Sequence, residues 1–201
     1  WETAEQMRPL LGKSAAVVTC QNGVPWWYGY KLGGAYDGVH IRSVDPGRRQ
    51  WQAIGPERAI GCVVMPATEI VAPGVIKHAY GDKFELGEPD RTRSERVLAL
   101  AKALEAGGFG APVLDDIRSE IWLKLWGNLC FNPISALTRA TLDVCATEPA
   151  LRKLSRDMML EAEVIASKLG VTFRVDVDRR INGAAKVGAH RTSMLQDLEA
   201  K

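Results

Sequence analysis

The stretch from Ile121 to Pro133, IWLKLWGNLCFNP, constrains this chain more than any other. Ile121, Trp122, Leu123, Leu125, Trp126, Leu129, Cys130 and Phe131 make it apolar on nearly every side. A helix apolar all round is a buried helix. Lys124, Asn128 and Asn132 break that rule at i, i+4 and i+8. On a helix this spacing sets an amine and two amides in one stripe, drifting roughly 40° per step and about 12 Å long. Such groups are costly to bury without partners. Either protein groups supply the partners, or the stripe faces a cleft and binds a small polar ligand. Pro133 predicts the end of the helix: the residue before a proline is driven from α geometry, so the break is expected at Asn132.

The 201 residues suit one large or two small domains. A net charge of +2 gives no electrostatic case for nucleic acid as a partner. No apolar run is long enough to span a bilayer, and there is no signal-peptide pattern. Cys20, Cys62, Cys130 and Cys145 are scattered, without CxxC spacing, and three lie in apolar surroundings. They read as reduced thiols of a cytoplasmic protein that do not bind metal. The chain opens at Trp1 without a methionine and stops at Lys201, each in or beside a helical pattern. It therefore reads as a piece of a longer protein.

Along the chain, Thr3 to Leu11 reads as a helix ending at Gly12. Ala15 to Cys20 (AAVVTC) has the Val-rich character of a buried parallel strand. It runs into Gln21-Asn22-Gly23-Val24-Pro25, a turn at the strand end where open α/β sheets hold ligands, although Asn-Gly is also an ordinary turn pair. Trp26 to Leu32 reads as helical and Tyr36 to Arg42 as strand-like; in the polar, Arg-rich stretch from Val44 to Ile54, Arg48 and Arg49 read as a solvated face rather than a phosphate contact. Ile60 to Met65 is a second buried strand. Val71 to Leu86 alternates around Pro73-Gly74 and Gly81-Asp82 as antiparallel strands do, with His78 structural. Arg93 to Ala106 is an amphipathic helix. After Asp115-Asp116 the pattern becomes helical, with Val171 to Val175 the one strand-like run: 116–132, then Thr141 to Leu169 with a restart at Thr147 to Pro149. A further helix starts at Asp176 or Asp178, and a last one is capped by Thr192 or Ser193. A domain boundary is expected near 115, and clefts between such domains are preferred ligand sites. Ser193 with Gln196 reads either as a capping box or as a carboxylate-binding helix start.

Three polar motifs occur in order: QNGVP (Gln21 to Pro25), K-L-x-x-N-x-x-x-N-P-x-S-A-L-T (Lys124 to Thr138) and SMLQD (Ser193 to Asp197). With Pro73-Gly74-Val75-Ile76-Lys77-His78 and Leu86-Gly87-Glu88, they resemble the ketopantoate reductase (2-dehydropantoate 2-reductase) family through essentially the whole chain. The resemblance implies an incomplete α/β Rossmann-type domain over 1–115, followed by an all-α helical domain over 116–201, with the active site between them. It implies NADPH-dependent reduction of 2-dehydropantoate to (R)-pantoate in pantothenate biosynthesis, or of a related 2-keto acid. Lys124 then resembles the general acid, and Asn128 and Asn132 the substrate-holding amides. Ser193, Met194, Leu195 and Gln196 resemble the run that meets the substrate's polar ends. Asn22 resembles the residue at the nicotinamide, near both substrate and cofactor, and Ala67 a backbone cofactor contact. The partner is a small 2-keto acid, with no metal, nucleic acid or membrane, and a homodimer is compatible.

The chemistry suits these residue types, since hydride addition to a ketone builds charge on oxygen and an ammonium supplies both counter-charge and proton. The sequence also departs from the family pattern. No G-x-G-x-x-G phosphate loop is present, nor is the strand that selects the 2′-phosphate. The family's glutamate after SMLQD would lie beyond Lys201, a further asparagine falls near Leu142, and Tyr36 to Ile54 is longer. Two rival readings remain: a non-catalytic two-domain protein whose stripe is satisfied internally, and another 3-hydroxyacid dehydrogenase-like enzyme.

Overall fold

The computed structural model describes residues 2–200. The chain divides into two compact units, one ending at Arg118 and one beginning at Ser119.

The first unit opens with α1 (Glu2–Met7), followed by a 3-10 turn over Arg8–Leu10. Its sheet has three strands, β1 (Val17–Cys20), then β2 (Ala59–Val64) in the middle, then β5 (Phe84–Gly87). β1 and β2 run parallel, with Val17 opposite Ala59 and Cys20 opposite Cys62. β5 returns antiparallel, with Gly61 opposite Gly87 and Cys62 opposite Leu86. Ile60, Cys62 and Leu86 face a core completed by Ala111 and by Val97 and Ala101 of α3 (Glu95–Ala106). Ser94 caps α3, accepting a bond from Val97 N–H. On the other face a Cβ at Gly61 would stand 2.9 Å from both Ile117 and Trp27, and one at Gly87 would stand 2.6 Å from Ile117. Two facing glycines thus open the slot that these large side chains fill.

Two sequence expectations in this unit are corrected. Trp26 to Leu32 is a series of turns, not a helix. Gly29 lies so close to Val39 that a Cβ would meet its carbonyl oxygen at 2.2 Å, and its own carbonyl accepts from Gly38 N–H at 2.7 Å. The segment folds back on its neighbour, and burial of Trp26, Trp27 and Tyr28 holds it there. Tyr36 to Arg42 is turn rather than strand. Within the Arg-rich stretch Asp45 is buried, accepting from the backbone of Gln50 and Trp51 at 2.9 and 3.0 Å. That carboxylate starts α2 (Arg49–Ile54) by satisfying amides that have no partner inside the helix.

β3 (Ala67–Ala72) and β4 (Val75–Tyr80) form a separate two-stranded ribbon whose residues are all exposed. His78 bonds the Gly81 carbonyl at its base.

The second unit is helical. It contains most of α4 (Ile117–Thr138), with α5 (Leu142–Thr147), α6 (Pro149–Lys168), α7 (Val177–Ala185) and α8 (Ser193–Glu199). Trp126 is fully buried, donating its indole N–H to the Met159 carbonyl at 3.0 Å and stacking on Phe173 at 3.7 Å. Asp176 caps α7 by accepting from Arg179 N–H. No strand forms at Val171 to Val175.

The expected break at Asn132 is also corrected: α4 continues through Pro133 to Thr138. Proline costs the helix one hydrogen bond, to the Leu129 carbonyl, and crowds it. Burial of Phe131 before the proline and of Ile134 and Ser135 after it outweighs that local preference. Ser135 Oγ then donates to the Ala140 carbonyl at 2.7 Å and closes the turn beyond.

Candidate active site

Most apolar positions of α4 are more buried than its polar stripe. Ile121, Trp122, Leu123, Trp126, Cys130 and Phe131 are buried, whereas Lys124, Asn128 and Asn132 are half-buried, with Leu125 and Leu129 half-buried beside them. An amphipathic pattern hidden in composition therefore reappears in the structure: core on one side, three polar groups reaching partly exposed surface on the other. Successive members of the stripe sit one turn apart, about 6 Å along the axis.

The end of the stripe meets the SMLQD run. Asn132 Nδ2 donates to Ser193 Oγ at 3.4 Å. Leu142 N–H bonds the His190 carbonyl at 2.8 Å, tying the loop before α8 to the start of α5. The cap of α8 is Thr192, not Ser193: its hydroxyl accepts from Leu195 N–H at 3.4 Å. Nor does Gln196 close a capping box, because its amide donates to the Arg191 carbonyl at 2.8 Å. With Thr192 doing the capping, Ser193 occupies the first helical position, and its hydroxyl bridges to α4. Leu195 turns its side chain into the core, while Ser193, Met194 and Gln196 stay exposed.

One further cation flanks the stripe and carried no signal in the sequence. The Arg180 guanidinium of α7 lies against Gly127, where a Cβ would stand 2.4 Å from Nη2. Burial draws its pKa below the ordinary guanidinium value, offset in part by Cys130. A side chain at that position would displace the end of the Arg180 side chain.

The remaining candidates lie in the first unit, at the carboxyl ends of its parallel strands. Asn22 is exposed in the turn after β1, next to Gly23, whose φ of 85° requires the left-handed region. Ala67 is exposed and opens β3 opposite Tyr80. Cys20, immediately before the turn, is also exposed.

Residues 116–201 match the family model described as ketopantoate reductase PanE/ApbA C terminal. The chain is 58% identical over 195 residues to a 2-dehydropantoate 2-reductase of Mesorhizobium japonicum, covering 97% of this chain and 60% of that protein. A 2-dehydropantoate 2-reductase of Archaeoglobus fulgidus is 31% identical over 143 residues, covering 71% of this chain and 48% of its own length. A crystal structure from Ralstonia solanacearum, described as a ketopantoate reductase, superposes with a TM-score of 0.93 at 36% identity. It covers 97% of this chain and 60% of that one. The chain belongs to the ketopantoate reductase family. Its fold is accordingly part of a Rossmann-type α/β domain followed by the family's helical domain. The chain spans 60% of the length of its Mesorhizobium relative.

Proposed function

We propose that the protein carrying this chain reduces 2-dehydropantoate, or a closely related 2-keto acid, to the 2-hydroxy acid with NADPH, as part of cytoplasmic pantothenate synthesis. The observation that carries this reading is the bond between Asn132 and Ser193. It joins two motifs 61 residues apart at the end of a stripe that also presents Lys124 and Asn128.

In this reading Lys124 is the general acid. When bound, the reduced nicotinamide supplies hydride to the carbonyl carbon, and the Lys124 ammonium gives its proton to the oxygen that becomes the alcohol. The ammonium stabilises charge as it develops, which is where a preorganised cation lowers a barrier most. Asn128, Asn132 and the Ser193 hydroxyl orient the keto acid without competing for that proton, since amides and hydroxyls do not ionise near neutral pH. The turn after β1 suits the nicotinamide end of a dinucleotide. A Cβ at Gly23 would meet nothing within 4 Å, so a flat ring has space to approach the backbone, and the Asn22 amide is solvent-facing beside it. Ala67 is the backbone contact in the same reading.

The test is NADPH oxidation with 2-dehydropantoate in the protein carrying this chain. Lys124→Ala should lower kcat by about 10²–10⁴-fold, the usual contribution of a positioned acid, with NADPH affinity little changed. Near-normal turnover in that variant would sink the assignment. Asn132→Ala should raise the KM for the keto acid more than that for NADPH.

A further inference from the structure

Cys20 ends β1, and Cys62 is its direct partner in the parallel ladder with β2. Neighbouring strands lie about 4.8 Å apart and paired side chains share a face, within the roughly 4.4–6.8 Å Cα separation that disulfides span. The Cys62 thiol donates to the Cys20 sulfur, which lowers the Cys20 pKa to about 7 against the opposing effect of burial. Cys20 is exposed, and Cys62 is buried behind it. The other two thiols have the opposite character: burial pushes Cys130 up to about 12 and also raises Cys145. At neutral pH one sulfur is therefore partly ionised and reachable, and a second stands beside it.

We infer that Cys20 and Cys62 form a peroxide-reactive dithiol, with Cys20 as the attacking sulfur and Cys62 as the resolving one. The thiolate is the nucleophile in such chemistry. Cys20 attacks hydrogen peroxide or a small hydroperoxide: an S–O bond forms, the O–O bond breaks, and the leaving oxygen departs as water or alcohol. Sulfur is oxidised to the sulfenic acid and the peroxide is reduced. The Cys62 sulfur then attacks Cys20, forming S–S and breaking S–O, and its proton leaves with the departing hydroxide as water. Gln21-Asn22-Gly23 follows Cys20 directly, so the cross-link would tie down the strand end that carries this turn. None of this chemistry depends on the reductase reading.

The experiment uses intact mass and thiol labelling of the folded protein. Before oxidation, a disulfide reagent should label one thiol fast, at Cys20, with a rate that rises through a midpoint at about 7. Peroxide should then remove two hydrogens from the mass without adding oxygen. Peptide mapping should join Cys20 to Cys62, and dithiothreitol should reverse the change. In Cys62→Ser, dimedone should trap a sulfenic acid at Cys20, and Cys20→Ser should show neither fast labelling nor the cross-link. Absence of a fast thiol, a fast thiol elsewhere, or oxygen addition to the unaltered protein without the Cys20–Cys62 link would each overturn the inference.

Discussion

Arg118 shows what a single side chain does for the first unit. It is 1% exposed, and its guanidinium donates to three backbone carbonyls: Tyr28 at 3.0 Å, Pro89 at 2.5 Å and Tyr30 at 2.5 Å. It also lies over the Trp27 and Tyr28 rings at 5.5 Å. Burial draws its pKa below the ordinary value, and a guanidinium starts high enough to stay charged regardless. The turns of 26–32 make few bonds among themselves, so this one cation collects carbonyls that a helix would have satisfied internally. Arg118→Ala leaves these carbonyls without a donor, at about 1–3 kcal/mol for each buried one left unsatisfied, read as a lower urea midpoint. Arg118→Lys should recover little of it, because one ammonium cannot reproduce a planar fork. Full recovery by lysine would show that charge, not geometry, holds the segment. No sequence pattern marked this residue, because its partners are main-chain atoms about 29 and 90 positions away.

At the scale of elements, α4 and the glycine pair of the sheet carry the clearest predictions. Pro133 removes one bond from the middle of α4 and crowds the Leu129 carbonyl, a cost of about 3 kcal/mol in an ordinary helix. Proline recovers only about 0.4–1 kcal/mol through the unfolded chain. Pro133→Ala should accordingly raise the thermal midpoint followed by circular dichroism, and a lowered midpoint would mean that the helix is built around the proline. In the sheet, Gly87→Ala places a methyl 2.6 Å from Ile117 Cβ, and overpacking of that kind costs about 1–3 kcal/mol. Unchanged stability in Gly87→Ala would show that Ile117 can withdraw. These elements also show what the sequence could convey. The strands at β1 and β2, the amphipathic α3 and the split between α5 and α6 were legible, because local pattern and final burial agree there. The continuation of α4 was not, because tertiary burial overrode a pairwise preference. The stripe was legible as three polar residues on an apolar helix. Its link to Ser193 needed the fold, and the exact cap, Thr192 rather than Ser193, is a matter of one position that composition does not resolve.

Across the whole molecule, burial is distributed unevenly, and every residue of the ribbon is exposed. Among the described residues no helix is long and apolar enough to cross a membrane. Ile70, Ile76 and Tyr80 are 77%, 68% and 75% exposed on a sheet of only two strands. Such a ribbon is marginal by itself, because it orders its backbone without burying side chains. β2 lies at the other extreme, buried over Ala59–Val63 and paired on both edges. Amide exchange follows local opening, which is cheap where few apolar contacts must be broken and approaches the global unfolding cost in a core strand. Hydrogen exchange read by mass spectrometry should therefore show peptides within 67–80 exchanging faster than those covering β2 or the buried centre of α4. Destabilising the core through Arg118→Ala should speed exchange in β2 and leave the ribbon nearly unchanged, since the ribbon opens without global unfolding. Slow exchange in 67–80 that persists on dilution would contradict this ordering. Slow exchange that is lost on dilution would instead show a second molecule covering those exposed isoleucines.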